Sequence, residues 1–101
     1  MADTFVESRL RNDGVTLFVK AGCPYCSNAM EILKEYNFVP GRLQVFDITG
    51  MEDVQHYLQQ RTGQRTVPRV FLGRHCIGGS SDLQNMRSQL PGMLRQIGAL
   101  Q

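Results

Sequence analysis

Val15-Thr-Leu-Phe-Val-Lys-Ala-Gly-Cys23-Pro24-Tyr25-Cys26-Ser-Asn-Ala-Met30 is the stretch that decides the fold. Val15–Val19 is an apolar run of strand type. After Cys26 the apolar residues recur at helical spacing, at Ala29, Met30, Leu33 and Tyr36. The two cysteines therefore sit where a strand hands over to a helix N-terminus. Free N–H groups at such an end favour negative charge, and a thiolate is negative. A Cys-x-x-Cys pair in that place is suited to exchanging a disulfide. A zinc site would need two more ligands. The candidates are His56, His75 and Cys76, with no second Cys-x-x-Cys and no His-x-x-x-His. His75 and Cys76 are neighbours and, in an extended chain, point to opposite faces. No metal site is expected.

Upstream, Phe5, Val6, Arg9 and Leu10 share one helical face, and Asn12-Asp-Gly14 is the turn expected to stop that helix. The first strand is expected over 15–20. The second helix begins at Pro24, a residue tolerated at a first helical position, and is expected to run to about Asn37. Pro40-Gly41 marks a turn, and 43–48 reads as a second, buried strand. Val54, Tyr57 and Leu58 recur at helical spacing until Gly63. Pro68 opens a third apolar run, Val70-Phe-Leu72, and a tight connection at Gly73-Arg74-His75 leads to a short strand at Cys76-Ile77, so the two form a hairpin. Ser80 or Ser81 is expected to cap a helix carrying Leu83, Met86 and Leu90. Pro91 restarts helical spacing through Met93, Leu94 and Ile97. The first two strands, joined through the helix after the cysteines, form a βαβ unit with parallel pairing. The hairpin adds antiparallel pairing. The class is α/β, a small mixed sheet with helices on both faces.

The chain has 101 residues, one domain by size, with 42% apolar and 20% charged residues. The net charge of +2, with no run of Lys or Arg, gives no basis for nucleic-acid or membrane binding. No apolar stretch approaches a membrane span, and the polar start, Met1-Ala-Asp-Thr, lacks a signal-peptide core. Three cysteines fit a secreted disulfide framework poorly and suit a reducing, intracellular setting.

Three separated motifs now carry a resemblance: Lys20-Ala-Gly-Cys23-Pro-Tyr-Cys26, Arg65-Thr-Val-Pro68-Arg-Val-Phe71 and Ile77-Gly-Gly-Ser-Ser-Asp82-Leu83. In order and spacing they resemble the glutaredoxins of the thioredoxin superfamily. The similarity is closest to the vertebrate-type cytosolic dithiol class with a CPYC site, the thioltransferases. A thioredoxin would usually show Trp before a Cys-Gly-Pro-Cys core, and this chain has no Trp.

The resemblance implies a thioredoxin-like three-layer α/β/α fold, with a four-stranded mixed sheet and about five helices, as one glutaredoxin domain over 1–101. It implies a glutathione-dependent thiol–disulfide oxidoreductase in the cytoplasm, monomeric, with glutathione as the reducing co-substrate. Its partners would be glutathionylated or disulfide-containing proteins, ribonucleotide reductase among them. Cys23 is the expected nucleophile, with its pKa lowered by the helix start and by Lys20. Cys26 would resolve mixed disulfides when the substrate is a protein disulfide, and would be dispensable for deglutathionylation. Tyr25 offers a ring and a hydroxyl beside the nucleophile.

The Pro matching Pro68 is cis in this family and lies against the cysteines. It turns the Val67 N–H and C=O outward, so that an extended peptide can pair with them. Glutathione is such a peptide. Thr66, Val67 and Pro68 would register its cysteinyl unit, and Gly79, Ser81 and Asp82 its γ-glutamyl end. Lys20 and Gln55, with Arg65 as an added cation, would meet its glycyl carboxylate. Ser80 stands where some vertebrate relatives have Cys. Cys76 is expected to be a small buried residue, and His56 and His75 surface residues. An iron–sulfur carrier built on Cys23 is disfavoured by Pro24. A thioredoxin-like enzyme recharged by a reductase and NADPH is the third alternative, and glutathione-sustained turnover separates it from the first.

Overall fold

A computed structural model describes residues 1–101. The order of elements is α1 (Ala2–Glu7), β1 (Val15–Val19), α2 (Pro24–Leu33), β2 (Leu43–Asp47), α3 (Glu52–Thr62), β3 (Arg69–Leu72), β4 (His75–Gly78), α4 (Ser80–Asn85) and α5 (Leu90–Gln96). The sheet order is β2-β1-β3-β4. β1 runs parallel to β2, pairing Val15 with Leu43 and Val19 with Asp47. It is antiparallel to β3, and β3 is antiparallel to β4 with an irregularity between Val70 and Phe71. The expected four-stranded mixed sheet and five helices are therefore present.

Strand alternation splits the core into two layers. Val15, Leu17, Val19, Val70 and Leu72 face α2, α4 and α5, meeting Ala29, Leu33, Leu83 and Leu94. Phe18 and Phe71 project to the other side, against Val6 of α1 and Val54 and Leu58 of α3. Their rings meet edge to face with centroids 5.8 Å apart, the arrangement aromatic quadrupoles favour. No helix is long and apolar enough to cross a membrane.

Several boundaries differ from expectation. α1 stops at Glu7, because the Ser8 hydroxyl and Arg9 Nη1 both donate to the Phe5 carbonyl, so Ser8 and Arg9 form a turn and Leu10 lies beyond it. α2 ends at Leu33 rather than near Asn37 and unwinds through turns. The second strand is not buried: β2 is an edge strand whose residues are half-buried or exposed. Its apolar residues reach both layers only in part, Leu43 against the α2 side and Phe46 against the α1 and α3 side, and only one edge of the strand is paired. α4 is capped by Gly79, not by Ser80 or Ser81, and the Asp82 carboxylate turns back to accept the Gly79 N–H at 2.9 Å. Cys76 is half-buried rather than buried, since β4 is the opposite edge of the sheet. α3 ends as expected at Gly63, whose φ of +85° is the left-handed conformation that glycine adopts without steric cost.

Glu7 ties three elements together. Its carboxylate accepts the Tyr57 hydroxyl at 2.7 Å and Arg61 Nε at 3.1 Å, both from α3. It also accepts Arg74 Nη2 at 3.0 Å from the β3–β4 turn. Burial raises the carboxyl, but these donors together outweigh it and hold it below its ordinary value of 4.5. A carboxyl lowered by folding stabilises above its unfolded pKa, and that contribution is lost as pH falls through the folded value. Glu7→Gln is expected to reduce stability at pH 7 by about 1 kcal/mol. In melts repeated at successively lower pH, the gap from the wild type should narrow once the pH falls below the ordinary value of 4.5 and close as the pH passes the lowered folded value. A gap that persists unchanged in acid would show that the charge is not what matters.

Candidate active site

β1 is buried along its whole length and stops at Val19. The chain then exposes Lys20 partly and Ala21 fully, and passes Gly22 with φ of +71°. Cys23 is extended, with φ −102° and ψ 106°, and stands as the N-cap of α2 with Pro24 in the first turn. Its Sγ accepts the Cys26 N–H at 3.1 Å, satisfying one of the free donors at the helix start. Cys23 and Cys26 are joined as a disulfide with a Cα–Cα separation of 5.2 Å, inside the usual span for such a bridge. Cys26 shares the inner face of α2 with Ala29 and Leu33 and is only 3% exposed, whereas Cys23 is half-buried.

The Val67–Pro68 peptide bond is cis. The Val67 carbonyl oxygen lies 3.8 Å from Cys23 Sγ. From there a groove of about 660 Å³ runs between Tyr25 and the start of α4, lined by Thr66, Val67, Pro68, Gly79, Ser81 and Asp82. Tyr25 stands at its rim, 68% exposed. The Gly78-Gly79 pair is required by close approach. Gly78 has φ of +116°, and a Cβ there would fall 2.2 Å from Asp82 Oδ2. A side chain at 78 would displace the carboxylate that caps Gly79.

Lys20 and Gln55 form a second group. Lys20 Nζ donates to Gln55 Oε1 at 2.9 Å, and Gln55 Nε2 donates to the Arg65 carbonyl at 2.9 Å. Gln55 is thus a buried amide with both ends bonded, and it joins α3 to the loop before Thr66. Lys20 and Cys23 line a separate hollow with Pro24 and Cys26. The expected residues therefore fall into two sets, which meet where Cys23 faces Val67. The Arg65 side chain is exposed, as are His56 and His75. His56, His75 and Cys76 do not gather into a group that could hold a metal.

Sequence reasoning missed Thr49 and Asp47. The Ala21 N–H, two residues before Cys23, donates to Thr49 Oγ1 at 2.9 Å. That hydroxyl must then give its own proton to Asp47 Oδ1, at 2.5 Å. The Thr49 N–H also donates to Asp47 Oδ1, at 2.8 Å. The Thr49 hydroxyl, then its N–H, hold the Asp47 carboxyl below its ordinary value. The signal was available: parallel strands bring their C-terminal ends together, and Val19 pairs with Asp47. The loops that follow the two strands had to emerge side by side. Arg69 was also passed over, although an arginine directly after Pro68 in an apolar run is conspicuous.

The glutaredoxin family model matches residues 15–77. The chain belongs to the glutaredoxin family. It is 68% identical to chicken glutaredoxin-1 over 100 residues, covering 99% of each chain. It is 47% identical to human glutaredoxin-1 over 106 aligned positions, covering 100% of both. Among solved structures, a buckwheat glutaredoxin–glutathione complex matches with a TM-score of 0.89 at 29% identity, over 100% of this chain and 94% of that one. An oxidised glutaredoxin 2 from Chlamydomonas reinhardtii matches with a TM-score of 0.85 at 30% identity, over 98% and 95%. The thioredoxin-like fold and the class of activity follow: this glutaredoxin is a thiol–disulfide oxidoreductase.

Thr49→Val removes the acceptor that holds the Ala21 N–H but leaves shape and volume. Ala21 is exposed, so water replaces the lost partner and the cost is about 1 kcal/mol or less. The expected outcome is a fall in kcat/KM for disulfide reduction of roughly three- to tenfold, while Thr49→Ser stays near wild type. Equal losses in the two variants would mean that the hydroxyl does not position the loop.

Proposed function

We propose that this glutaredoxin uses glutathione to reduce protein–glutathione mixed disulfides through Cys23 alone, and protein disulfides through Cys23 and Cys26 together. The observation that carries the proposal is the inequality of the two sulfurs. Cys23 is partly accessible beside the Val67 carbonyl, and Cys26 is buried one turn along the helix.

In the first route the Cys23 thiolate attacks the glutathionyl sulfur. The old S–S bond breaks, the protein thiolate leaves and takes a proton, and a Cys23–glutathione disulfide forms. A second glutathione thiolate attacks the glutathionyl sulfur of that adduct. Oxidised glutathione departs and the Cys23 thiolate returns. In the second route Cys23 attacks a protein disulfide and Cys26 attacks the resulting mixed disulfide. The protein leaves with both its thiols reduced, and the Cys23–Cys26 disulfide remains until two glutathiones reduce it.

The groove supports glutathione as the co-substrate, and the buckwheat relative is solved as a complex with glutathione. The Val67 backbone would pair with the cysteinyl unit, beside Thr66 and Pro68. Asp82, with Gly79 and Ser81, would take the γ-glutamyl ammonium, since one carboxylate oxygen remains after the other has capped Gly79. Lys20 keeps two of its three protons beyond the bond to Gln55 and would meet the glycyl carboxylate. Tyr25 would close the rim. The two buried layers engage residues from Val6 to Ala99, which favours one domain over 1–101. Family likeness supports a cytoplasmic monomer with ribonucleotide reductase among its disulfide substrates.

The test is a coupled assay with glutathione and glutathione reductase, run on two substrates. Cys23→Ser is expected to abolish turnover of both a glutathionylated peptide and a protein disulfide. Cys26→Ser should retain most turnover of the first and lose the second. Equal loss of both activities in Cys26→Ser would contradict the one-cysteine route.

A further inference from the structure

Arg69 is a buried cation without an anion. It is 4% exposed, and a guanidinium keeps its charge in a protein. None of the five ion pairs includes it. Its hydrogen bonds are two long ones, Nε to the Pro68 carbonyl at 3.3 Å and Nη2 to Thr66 Oγ1 at 3.5 Å. Burying a charge with so little compensation is costly, and Arg69 belongs to neither apolar cluster, which its strand neighbours Val70 and Phe71 join. Yet Arg69 lines the groove.

Its position is specific. Nη2 lies 3.1 Å from the point where a Cβ on Gly79 would stand, and Asp82 Oδ2 accepts the Gly79 N–H at 2.9 Å. A fixed positive and a fixed negative group thus flank one glycine at the same end of the groove. That is the charge pattern of an α-amino acid zwitterion, whose ammonium suits the carboxylate and whose carboxylate suits the guanidinium. Glutathione carries one such end, the γ-glutamyl α-carbon; its glycyl end has a carboxylate only.

We infer that Arg69 is a specificity residue that reads the γ-glutamyl α-carboxylate from beneath the groove floor. The inference rests on glutathione being the groove's ligand. A guanidinium held in a low-dielectric site acts more strongly on a nearby charge than an exposed one does. Its contribution is to binding rather than to the reacting sulfurs, so it falls on KM and leaves kcat.

The experiment uses the full chain and three mixed disulfides of one peptide. One is made with glutathione, one with glutathione amidated at the γ-glutamyl α-carboxylate, and one with glutathione amidated at the glycyl carboxylate. The wild type should disfavour the α-amide by about tenfold or more in kcat/KM. Arg69→Gln should lose about as much on the glutathione and glycyl-amide substrates, mainly through KM, and almost nothing on the α-amide. Arg69→Lys should recover part of the loss. Equal losses for Arg69→Gln on all three substrates would reduce Arg69 to a structural role and overturn the inference. If Arg69→Gln does not fold, the wild type still decides: turnover of the α-amide equal to that of glutathione overturns it. Normal turnover with no discrimination refutes only the role of Arg69. Absence of turnover with every glutathione disulfide refutes the glutathione reading as well.

Discussion

The Cys26 N–H bonded to the Cys23 sulfur is the contact on which the site depends. It exists because β1 is buried to its last residue and α2 begins at Pro24, leaving four residues to turn the chain. Cys23 caps the helix in extended geometry, so its sulfur stands among free N–H groups that favour negative charge. The helix period then separates the two thiols. Position 26 falls on the face shared with Ala29 and Leu33 and is drawn into the core, while position 23 stays at the edge. Two chemically identical side chains acquire different exposure from helix phase alone.

The rest of the fold brings partners to that sulfur. Antiparallel pairing of β1 with β3 places the loop before β3 next to the loop after β1, so Val67 faces Cys23. Parallel pairing of β1 with β2 sets Thr49 beside Ala21. The β3–β4 hairpin carries Gly78 and Gly79 to the far end of the groove, where the lack of side chains lets Asp82 fold back. Each strand of the sheet thus delivers one wall or one support, and the helices behind it fill the two cores.

Most of this was legible in the sequence because it rests on period and punctuation. The strand before the cysteines, the helix after them, the stop at Gly63 and the hairpin were all readable from spacing. β2 misled because Leu43, Val45 and Phe46 look like a buried strand, and only pairing order reveals an edge. The ends of α1 and α2 were missed because side-chain bonds to the Phe5 carbonyl, and turns after Leu33, are local choices that periodicity does not encode. In the site, the second and third motifs line one groove with Tyr25, while Lys20 and Cys23 line a separate hollow beside it. Thr49 and Asp47 escaped because their role comes from strand register. Arg69 escaped because a charge in an apolar run reads as exposed until its burial is measured.

The central claim is that Cys23 alone takes up glutathione first. Its most direct measurement is a rapid acid quench of the reduced enzyme mixed with a glutathionylated peptide, followed by peptide mapping of the trapped adduct. The account predicts glutathione on Cys23, with Cys26 and Cys76 unmodified at the earliest times. Glutathione appearing first on Cys26 or Cys76 would contradict it.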